Sequence, residues 1–309
     1  MRTDRRLMKA YKNARVEPFD DASRIIIFSD CHRGDNSLSD EFSRNQNIYQ
    51  FAMNYYYYNG YTYIEAGDGD ELSEHIRFRH IRLAHSDIFM TLKKFHDEDR
   101  MIMLYGNHNM FLKNPDYVRK HYEQFYDEYT EQMSDLFTGL VPEEAVLLKH
   151  RVSGQEILTI HGHQGDLMND QFWYITMFMV RFFWRGMHLL GFHNPSSPAR
   201  NEQKRHKIEK NFNKSIAAHQ MMLICGHTHR PKFPRFEDLP YFNTGCCIHS
   251  RGITGIEILE GKIMLVEWRI RTNREGVLKI SRKVIRGPEP IEKYDFGHPG
   301  SILRSRTDY

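Results

Sequence analysis

Five short apolar runs along the chain each end in a polar, glycine-containing loop. With their loops, they occupy residues 24–35, 61–71, 101–109, 156–166 and 221–231. Each apolar part is four to six residues long and rich in Ile, Leu and Tyr, which predicts a buried strand followed by a loop. Helix-length stretches at residues 40–58 and 80–99 separate the early runs. This alternation is typical of an α/β fold, in which ligands bind at the carboxyl ends of strands. We therefore expect a functional site at these five loops.

The later part of the chain has the pattern of further strands. The segments are YFNTGCC (241–247), GITGIEIL (252–259) and KIMLVEWRI (262–270), and they predict a second sheet packed against the first. From residue 271 onward the chain is polar and basic, with one more strand pattern at residues 277–285. We predict a C-terminal basic extension over residues 271–309, with a weakly ordered tail from residue 287.

Composition narrows the class of protein. The 309 residues, 40% of them hydrophobic, are enough for one large domain with a buried core. The 43 basic and 40 acidic residues leave a net charge of only +3, which disfavours a nuclease or another nucleic-acid partner. The four cysteines form no CxxC motif, and the N-terminus lacks the apolar segment of a signal peptide. These features predict a cytoplasmic protein without a disulfide framework.

The loops after the five strands contain side chains that metal ions prefer. They are Asp30, His32, Asp68, Asn107, His161, His227 and His229. A single Asp after a strand is usually a turn or cap residue, so no one of them decides the matter. Together, oxygen donors and imidazoles suit Mn, Fe or Zn ions with positions open for water. A carboxylate shared by two cations would hold them about 3.5 to 4 Å apart for in-line phosphoryl displacement. Two metal ions are therefore our interpretation.

Five motifs occur in the order found in the calcineurin-like metallophosphoesterases. They are SDCH (29–32), GD (67–68), GNH (106–108), HG (161–162) and GHTH (226–229). The chain resembles that family over residues 24–270. The resemblance implies an α/β fold, a two-sheet αββα sandwich, with the phosphoesterase domain at residues 20–270. It also implies hydrolysis of a phosphomonoester, phosphodiester or pyrophosphate by a hydroxide that bridges two divalent ions, with Mn preferred and Fe, Zn or Co as alternatives.

The resemblance also implies roles for individual residues. One metal would be held by Asp30, His32, Asp68 and His229, and the second by Asp68, Asn107, His161 and His227. His108 would act at the scissile phosphate, stabilising charge or protonating the leaving oxygen. The chain departs from the family at Asn109, where the family has an acid. Because an amide can orient an imidazole without raising its pKa, the charge state of His108 stays open here. His163 would approach the metal or substrate, or else lie behind the ligands.

An insertion between the last two metal-binding motifs, residues 168–220, predicts a helical cap. Its apolar stretch, residues 171–192, is interrupted by Arg181 and Arg185. The unbroken apolar run is therefore shorter than the ~20 residues that a membrane span requires. It predicts an amphipathic helix with a basic stripe, and a second helix begins near Asn201. The cap would either pack on the core with a solvated basic face or cover the metal site. In the second case it would bind a phosphorylated or lipid-linked substrate and contact the inner face of a membrane peripherally.

Within the family, this insertion and the YFNTG segment resemble the branch of the UDP-2,3-diacylglucosamine hydrolases. In that branch a Ser, an Asn and a Lys of the cap contact the substrate, and Ser197, Asn201 and Lys204 have comparable spacing. Arg181 and Arg185 are further predicted substrate contacts. Those enzymes have Arg where this chain has His108, which favours a different leaving group. The alternatives are therefore a hydrolase of a lipid-linked diphosphate and a non-catalytic protein that keeps its metals and binds a partner. The sequence predicts neither the physiological substrate nor the oligomeric state.

Overall fold

Two β-sheets packed face to face, with helices outside them, form the centre of the molecule. The computed structural model describes residues 2–170, 172–179, 201–235 and 237–297. The strands are β1 (Arg15–Phe19), β2 (Arg24–Phe28), β3 (Thr62–Ala66), β4 (Met101–Leu104), β5 (Gln124–Asp127), β6 (Gln132–Asp135), β7 (Ala145–His150), β8 (Glu156–Ile160), β9 (Met222–Cys225), β10 (Tyr241–Asn243), β11 (Ile253–Leu259), β12 (Lys262–Thr272) and β13 (Leu278–Pro290). The helices are α1 (Arg2–Asn13), α2 (Gln46–Tyr58), α3 (Phe78–Ala84), α4 (Ser86–Asp97), α5 (Pro115–His121), α6 (Leu167–Asp170), α7 (Trp173–Met179) and α8 (Glu202–His219).

The two sheets have different strand orders. The six-stranded sheet runs β13-β12-β11-β2-β3-β4, and the five-stranded sheet runs β1-β7-β8-β9-β10. Strands β2, β3 and β4 are mutually parallel, as are β8, β9 and β10. Their carboxyl ends therefore lie along one edge of each sheet, where the five polar loops begin. Strands β5 and β6 form a separate hairpin.

The side chains of β2 show why the sheets are covered on both faces. Ile25 and Ile27 belong to the core between the sheets, whereas Ile26 and Phe28 pack in the core beneath the helices α2 and α4. Because successive residues of a strand point to opposite faces, a strand buried on both faces must be a continuous apolar run. The predicted α/β sandwich of two sheets is confirmed.

Several boundaries differ from the prediction. The predicted helix at residues 80–99 is two helices, α3 and α4, which meet at His85. The predicted strands at residues 252–270 join the six-stranded sheet beside β2, while β10 joins the five-stranded sheet. The prediction of a weakly ordered tail is wrong for residues 287–294. Here β13 continues to Pro290 along β12, and Ile291 and Tyr294 are buried in the core between the sheets.

The second helix of the predicted cap packs on the five-stranded sheet. Helix α8 buries Ile208, Phe212 and Ile216 together with α1 and the strands of the five-stranded sheet. This agrees with the alternative in which that part of the insertion packs on the core. Arg181, Arg185 and Ser197 lie outside the described residues.

Two smaller expectations can be checked against the same framework. The four cysteines are buried and free, so they form no disulfide. Among the helices of the described ranges, none is both long enough and apolar enough to cross a membrane.

Candidate metal centre

The predicted ligands meet where the carboxyl ends of five strands converge. Three loops, after β2, β3 and β4, belong to the six-stranded sheet, and those after β8 and β9 belong to the five-stranded sheet. These loops bring together all seven predicted side chains: Asp30, His32, Asp68, Asn107, His161, His227 and His229.

The first group of donors lies on the side of β2. The Oδ1 atom of Asp30 is 3.1 Å from Nε2 of His229 and 3.8 Å from Nε2 of His32. The two Nε2 atoms are 3.3 Å apart. Their convergence on Asp30 forms a compact donor set of the size that one cation needs.

The second group lies on the side of β8 and shares a carboxylate with the first. The Oδ2 atom of Asp68 is 3.0 Å from Nε2 of His161 and 4.0 Å from Nε2 of His32. Asn107 places its Oδ1 3.3 Å from Nε2 of His161. The His227 ring is centred 5.2 Å from the ring of His161. Asp68 thus lies between the two groups of donors.

Some polar atoms of this donor set are buried without a hydrogen bond. The Oδ1 atom of Asp30 and the Nε2 atom of His227 are buried and have no hydrogen-bond partner among the described residues. A buried polar atom in that state is unfavourable unless something else satisfies it. His161 turns its Nδ1 to the carbonyl of Ala66 at 3.0 Å, which leaves its Nε2 lone pair facing the other donors.

Backbone amides hold the two carboxylates in place. The amide of His227 donates to Oδ2 of Asp30 at 2.9 Å, and the amide of His108 donates to Oδ1 of Asp68 at 2.8 Å. One oxygen of each carboxylate is therefore fixed while the other faces the imidazoles. Burial by itself would raise the pKa of Asp30, but the neighbouring His229 and His161 lower that pKa well below its usual range.

The loops adopt unusual backbone conformations at the ligands. The φ angles are 51° at Asp30, 48° at His32, 52° at Asp68, 66° at His227 and 54° at His229. Residues with side chains rarely adopt this left-handed region, and each instance costs about 1–3 kcal/mol. Strained residues of this kind cluster at functional sites. There the surrounding structure holds the backbone in the conformation that orients the side chains.

Two glycines allow the loops to approach the carboxylates. A Cβ at Gly106 would lie 2.2 Å from Oδ1 of Asp68, and one at Gly226 would lie 2.4 Å from Oδ2 of Asp30. Neither distance is sterically possible. The glycines of the GNH and GHTH motifs are therefore required because each lies too close to a proposed ligand to allow a Cβ.

A buried arginine joins the loops after β2 and β3. Arg33 donates to both carboxylate oxygens of Glu65 at 2.7 and 2.9 Å, and to Asp70 at 2.7 Å. All three side chains are buried. The amide of His32 also donates to the carbonyl of Asp68 at 2.9 Å. Because removing one partner would leave an unpaired buried charge, this network holds the two loops in a fixed relation.

His108 is oriented by a glutamate that the sequence interpretation missed. Glu71 is buried, and its carboxylate lies 2.8 Å from Nδ1 of His108 and 2.7 Å from Nδ1 of His32. Burial alone would lower the pKa of His108, but the charges of Glu71 and Asp68 raise that pKa overall. The available signal was the acidic run after Asp68, in the segment GDGDE.

Asn109 has a different contact from the one expected. Its side-chain Oδ1 accepts a hydrogen bond from the amide of Gly106 at 2.6 Å, within its own loop. Asn109 is fully buried, and it is Glu71 that contacts the His108 ring. The carboxylate that contacts His108 therefore comes from another loop and not from position 109.

His163 lies behind the second group of ligands. Its ring centre is 5.5 Å from that of His161, and neither ring nitrogen has a hydrogen-bond partner among the described residues. Burial, together with the charges of His161 and His227, lowers the pKa of His163 well below its usual range. The structure therefore places His163 in a buried position beside His161, and its predicted approach to the metal or the substrate stays a prediction.

Asp166 forms an ion pair with Lys204, one of the predicted substrate contacts, close to the proposed ligand His227. Its Oδ2 atom is 2.6 Å from Nζ of Lys204 and 3.7 Å from Nε2 of His227. Burial alone would raise the pKa of Asp166, but His227 and Lys204 lower it. Asn201, in contrast, caps helix α8 by accepting a hydrogen bond from the amide of Lys204 at 2.9 Å. The structure therefore places Lys204 near the ligands and Asn201 in a helix cap.

Comparison with known proteins adds little to this geometry. No family model matches the chain, and no curated protein matches it. Among solved structures, Vacuolar Protein Sorting 29 from Cryptosporidium parvum is 11% identical with a TM-score of 0.37, over 86% of this chain and 98% of that one. A novel archaeal phosphodiesterase is 14% identical with a TM-score of 0.35, over 84% and 99% of the two chains. At these low identities and TM-scores, the likeness supports no statement about the function of this chain.

Proposed function

We propose that the chain is a metal-dependent hydrolase of phosphate esters or phosphate anhydrides. The observation that carries the proposal is the pair of buried donor groups that share Asp68. Each group contains a buried atom that forms no hydrogen bond with the described residues, Asp30 Oδ1 in the first and His227 Nε2 in the second. Buried, strained and unsatisfied donors of this kind are typical of a site that binds cations for chemistry.

The donor types indicate how the site would hold its ions. Asp30, His32, Asp68 and His229 would hold one divalent cation, and Asp68, Asn107, His161 and His227 the other. Mixed oxygen and imidazole donors suit Mn, with Fe, Zn and Co also acceptable. When bound, two such ions supply Lewis acidity to phosphate oxygens and lower the pKa of water.

His108 supplies the proton-transfer group of the proposal. Its Nδ1 faces Glu71, so the opposite ring nitrogen, Nε2, is the atom available to a substrate. Glu71 favours the charged imidazolium. A charged His108 can donate a proton to the leaving oxygen or stabilise the charge that develops on the phosphate.

The direct test is hydrolysis of an aryl phosphate with Mn. We expect Asp68→Asn to lower kcat on the order of 10³-fold, because the shared carboxylate would be lost from both groups. Asp97→Asn is the matched control, since Asp97 is an exposed residue of α4 with a surface ion pair to Lys93. Metal-loaded protein that hydrolyses no monoester, diester or nucleotide-linked diphosphate would instead support a non-catalytic protein.

A lipid-linked diphosphate is the second proposed substrate class. The observation that favours it is Lys204, whose ammonium lies beside Asp166 at the second ligand group. The role of Asn201 as a helix cap weakens the parallel with the diacylglucosamine hydrolases. Comparing turnover of UDP-2,3-diacylglucosamine with that of a simple diester would separate the two classes. Faster turnover of the lipid substrate, lost in Lys204→Ala, would support it.

A further inference from the structure

Two residues of the YFNTG segment, Asn243 and Thr244, have no role in the proposed chemistry, yet they contact the metal centre. Strand β10 ends at Asn243, and Thr244 follows it directly. Both side chains are fully buried, as are those of Ser29 and Asp30, which follow β2. Buried polar side chains need hydrogen-bond partners, and the partners of these two lie in the loops that carry the proposed ligands.

Two hydroxyl groups connect Thr244 to the proposed ligand Asp30. The Oγ1 atom of Thr244 lies 2.6 Å from Oγ of Ser29, and Oγ of Ser29 donates to Oδ2 of Asp30. Because an ionised carboxylate can only accept, the single hydroxyl hydrogen of Ser29 is used on Asp30. Thr244 is therefore the donor to Ser29. We call this arrangement, from Thr244 through Ser29 to Asp30, the hydroxyl chain.

The hydroxyl chain makes the two oxygens of Asp30 unequal. Oδ2 accepts from Ser29 and also from the amide of His227 at 2.9 Å. Oδ1 forms no hydrogen bond with the described residues and lies 3.1 Å from Nε2 of His229. Since a carboxylate oxygen has two lone pairs, two donors occupy Oδ2. Oδ1 is left as the oxygen available to a cation.

Asn243 holds the loop that carries His227. Its Nδ2 atom donates to the carbonyl of Gly226 at 2.7 Å, and its Oδ1 atom accepts from the amide of Gly245 at 2.9 Å. Gly226 directly precedes His227, whose amide is the other donor to Oδ2 of Asp30. Both donors to this oxygen therefore depend on the YFNTG segment.

Close packing fixes the hydroxyl chain in position. A Cβ at Gly226 would lie 2.1 Å from Oγ of Ser29, a distance that is sterically impossible. The Oγ1 atom of Thr254 donates to the backbone carbonyl of Thr244 at 2.7 Å. The backbone of Thr244 is thus held from β11, and its hydroxyl is presented to Ser29 from a fixed point.

The other carboxylate of the centre is held differently. Oδ1 of Asp68 accepts from the amide of His108 at 2.8 Å, and Oδ2 lies 3.0 Å from Nε2 of His161. Among the residues that the structure describes, no hydroxyl donates to Asp68. The hydroxyl chain therefore acts on the first group of donors and not on the carboxylate between the two groups.

We propose that Thr244 and Ser29 are positioning residues that support the cation at Asp30 in preference to the other cation. The inference rests on the proposed function, because it takes from it the two cations. Neither hydroxyl would touch the ion or the substrate. Hydrogen bonds that orient a metal-binding side chain typically change the affinity for the metal about 10- to 100-fold.

The test is Mn binding by the purified protein. Thr244→Val removes one hydroxyl with little change of shape, and Ser29→Ala removes the other. We expect each variant to bind the ion at Asp30 about 10-fold more weakly and to keep its affinity for the ion at His161. Titration measures the two affinities, and anomalous diffraction at limiting Mn shows which of the two ions is lost.

Two further variants are matched controls. Thr244→Ser keeps the hydroxyl and should bind Mn as the unchanged protein does. Thr159→Val, on β8, removes a hydroxyl that is equally buried but forms no hydrogen bond with the described residues, and it should not alter either affinity. The double variant with Ser29→Ala and Thr244→Val should be no weaker than Ser29→Ala alone, because both hydroxyls act on the same oxygen.

Three results would overturn the inference. They are an equal loss of affinity in Thr244→Ser and Thr244→Val, an equal weakening of both ions, and losses that add in the double variant. The first would show that Thr244 acts by packing. The second would show a general effect on the centre, and the third would show that the two hydroxyls act independently.

Metal binding and turnover separate this inference from the proposed function. If both variants weaken the ion at Asp30 while the metal-loaded protein hydrolyses no phosphate ester, the positioning role stands and the proposed function fails. If esters are hydrolysed and both variants bind Mn as the unchanged protein does, the inference fails and the proposed function stands.

Discussion

The two sides of the metal centre each have a further carboxylate, outside the seven predicted ligands, and these two carboxylates have different partners. On the side of β2, Glu71 is hydrogen-bonded to two imidazoles, those of His32 and His108. On the side of β8, Asp166 is paired with the ammonium of Lys204 and lies 3.7 Å from Nε2 of His227. A carboxylate that faces imidazoles controls their protonation, whereas one that faces an ammonium is neutralised by it. Under the proposed function, we therefore expect proton transfer on the first side and substrate positioning on the second.

The largest predicted effect is on the first side. Glu71→Gln should lower kcat about 10²- to 10⁴-fold, because His108 would lose the charge that favours its protonated form. Steady-state kinetics with an aryl phosphate measures the change. In a His108→Ala background the same substitution should have a much smaller effect on kcat. Equal effects in both backgrounds would show that Glu71 acts on something other than His108.

The pH dependence should report the same contact. Because Glu71 and Asp68 raise the pKa of His108, its charged form persists to higher pH than that of an isolated histidine. If this form is the proton donor, kcat should fall as the pH rises through that pKa. In Glu71→Gln the fall should move to lower pH. A pH–rate profile whose alkaline limb stays in place would rule out His108 as the donor.

A smaller effect is expected on the second side. Asp166→Asn should weaken binding of one metal ion about 10-fold, because the negative charge beside His227 is lost and Lys204 is left without its partner. Titration of the purified protein with Mn measures the affinity of each site. Asp116→Asn, at an exposed position of α5, is the control. Loss of both ions together would mean that Asp166 supports the whole centre and not one side.

The smallest effect on chemistry is expected at Asn109. Asn109→Asp should shift the alkaline limb of the pH–rate profile little, since this side chain bonds to the amide of Gly106. Asn109→Ala should instead lower the free energy of unfolding by about 1–3 kcal/mol, through loss of a buried hydrogen bond. Denaturant unfolding and the pH–rate profile together check both statements. A large shift of the profile in Asn109→Asp would return control of His108 to this residue.

The parts of the site that the sequence predicted are those encoded locally. Each strand with its loop is an apolar run followed by a glycine and polar residues, all within one short segment. The five strands and the positions of the seven proposed ligands could therefore be predicted from the sequence. The contact of Glu71 with His108 was not, because it joins loops after two different strands. It depends on the loop conformations that the Arg33 network maintains.

The helical insertion shows a second limit of sequence reasoning. The apolar face of α8 could cover a metal site or pack on a sheet, since periodicity shows that a face is buried but not what it meets. The structure places it against the five-stranded sheet.

Anomalous diffraction from crystals grown with Mn is the measurement that tests the central claim most directly. Two peaks about 3.5–4 Å apart on either side of the Asp68 carboxylate are predicted, one near Asp30, His32 and His229 and the other near His161 and His227. Asp68→Asn crystals should lose at least one of them. A single peak, or metal bound only outside these two groups, would contradict the account.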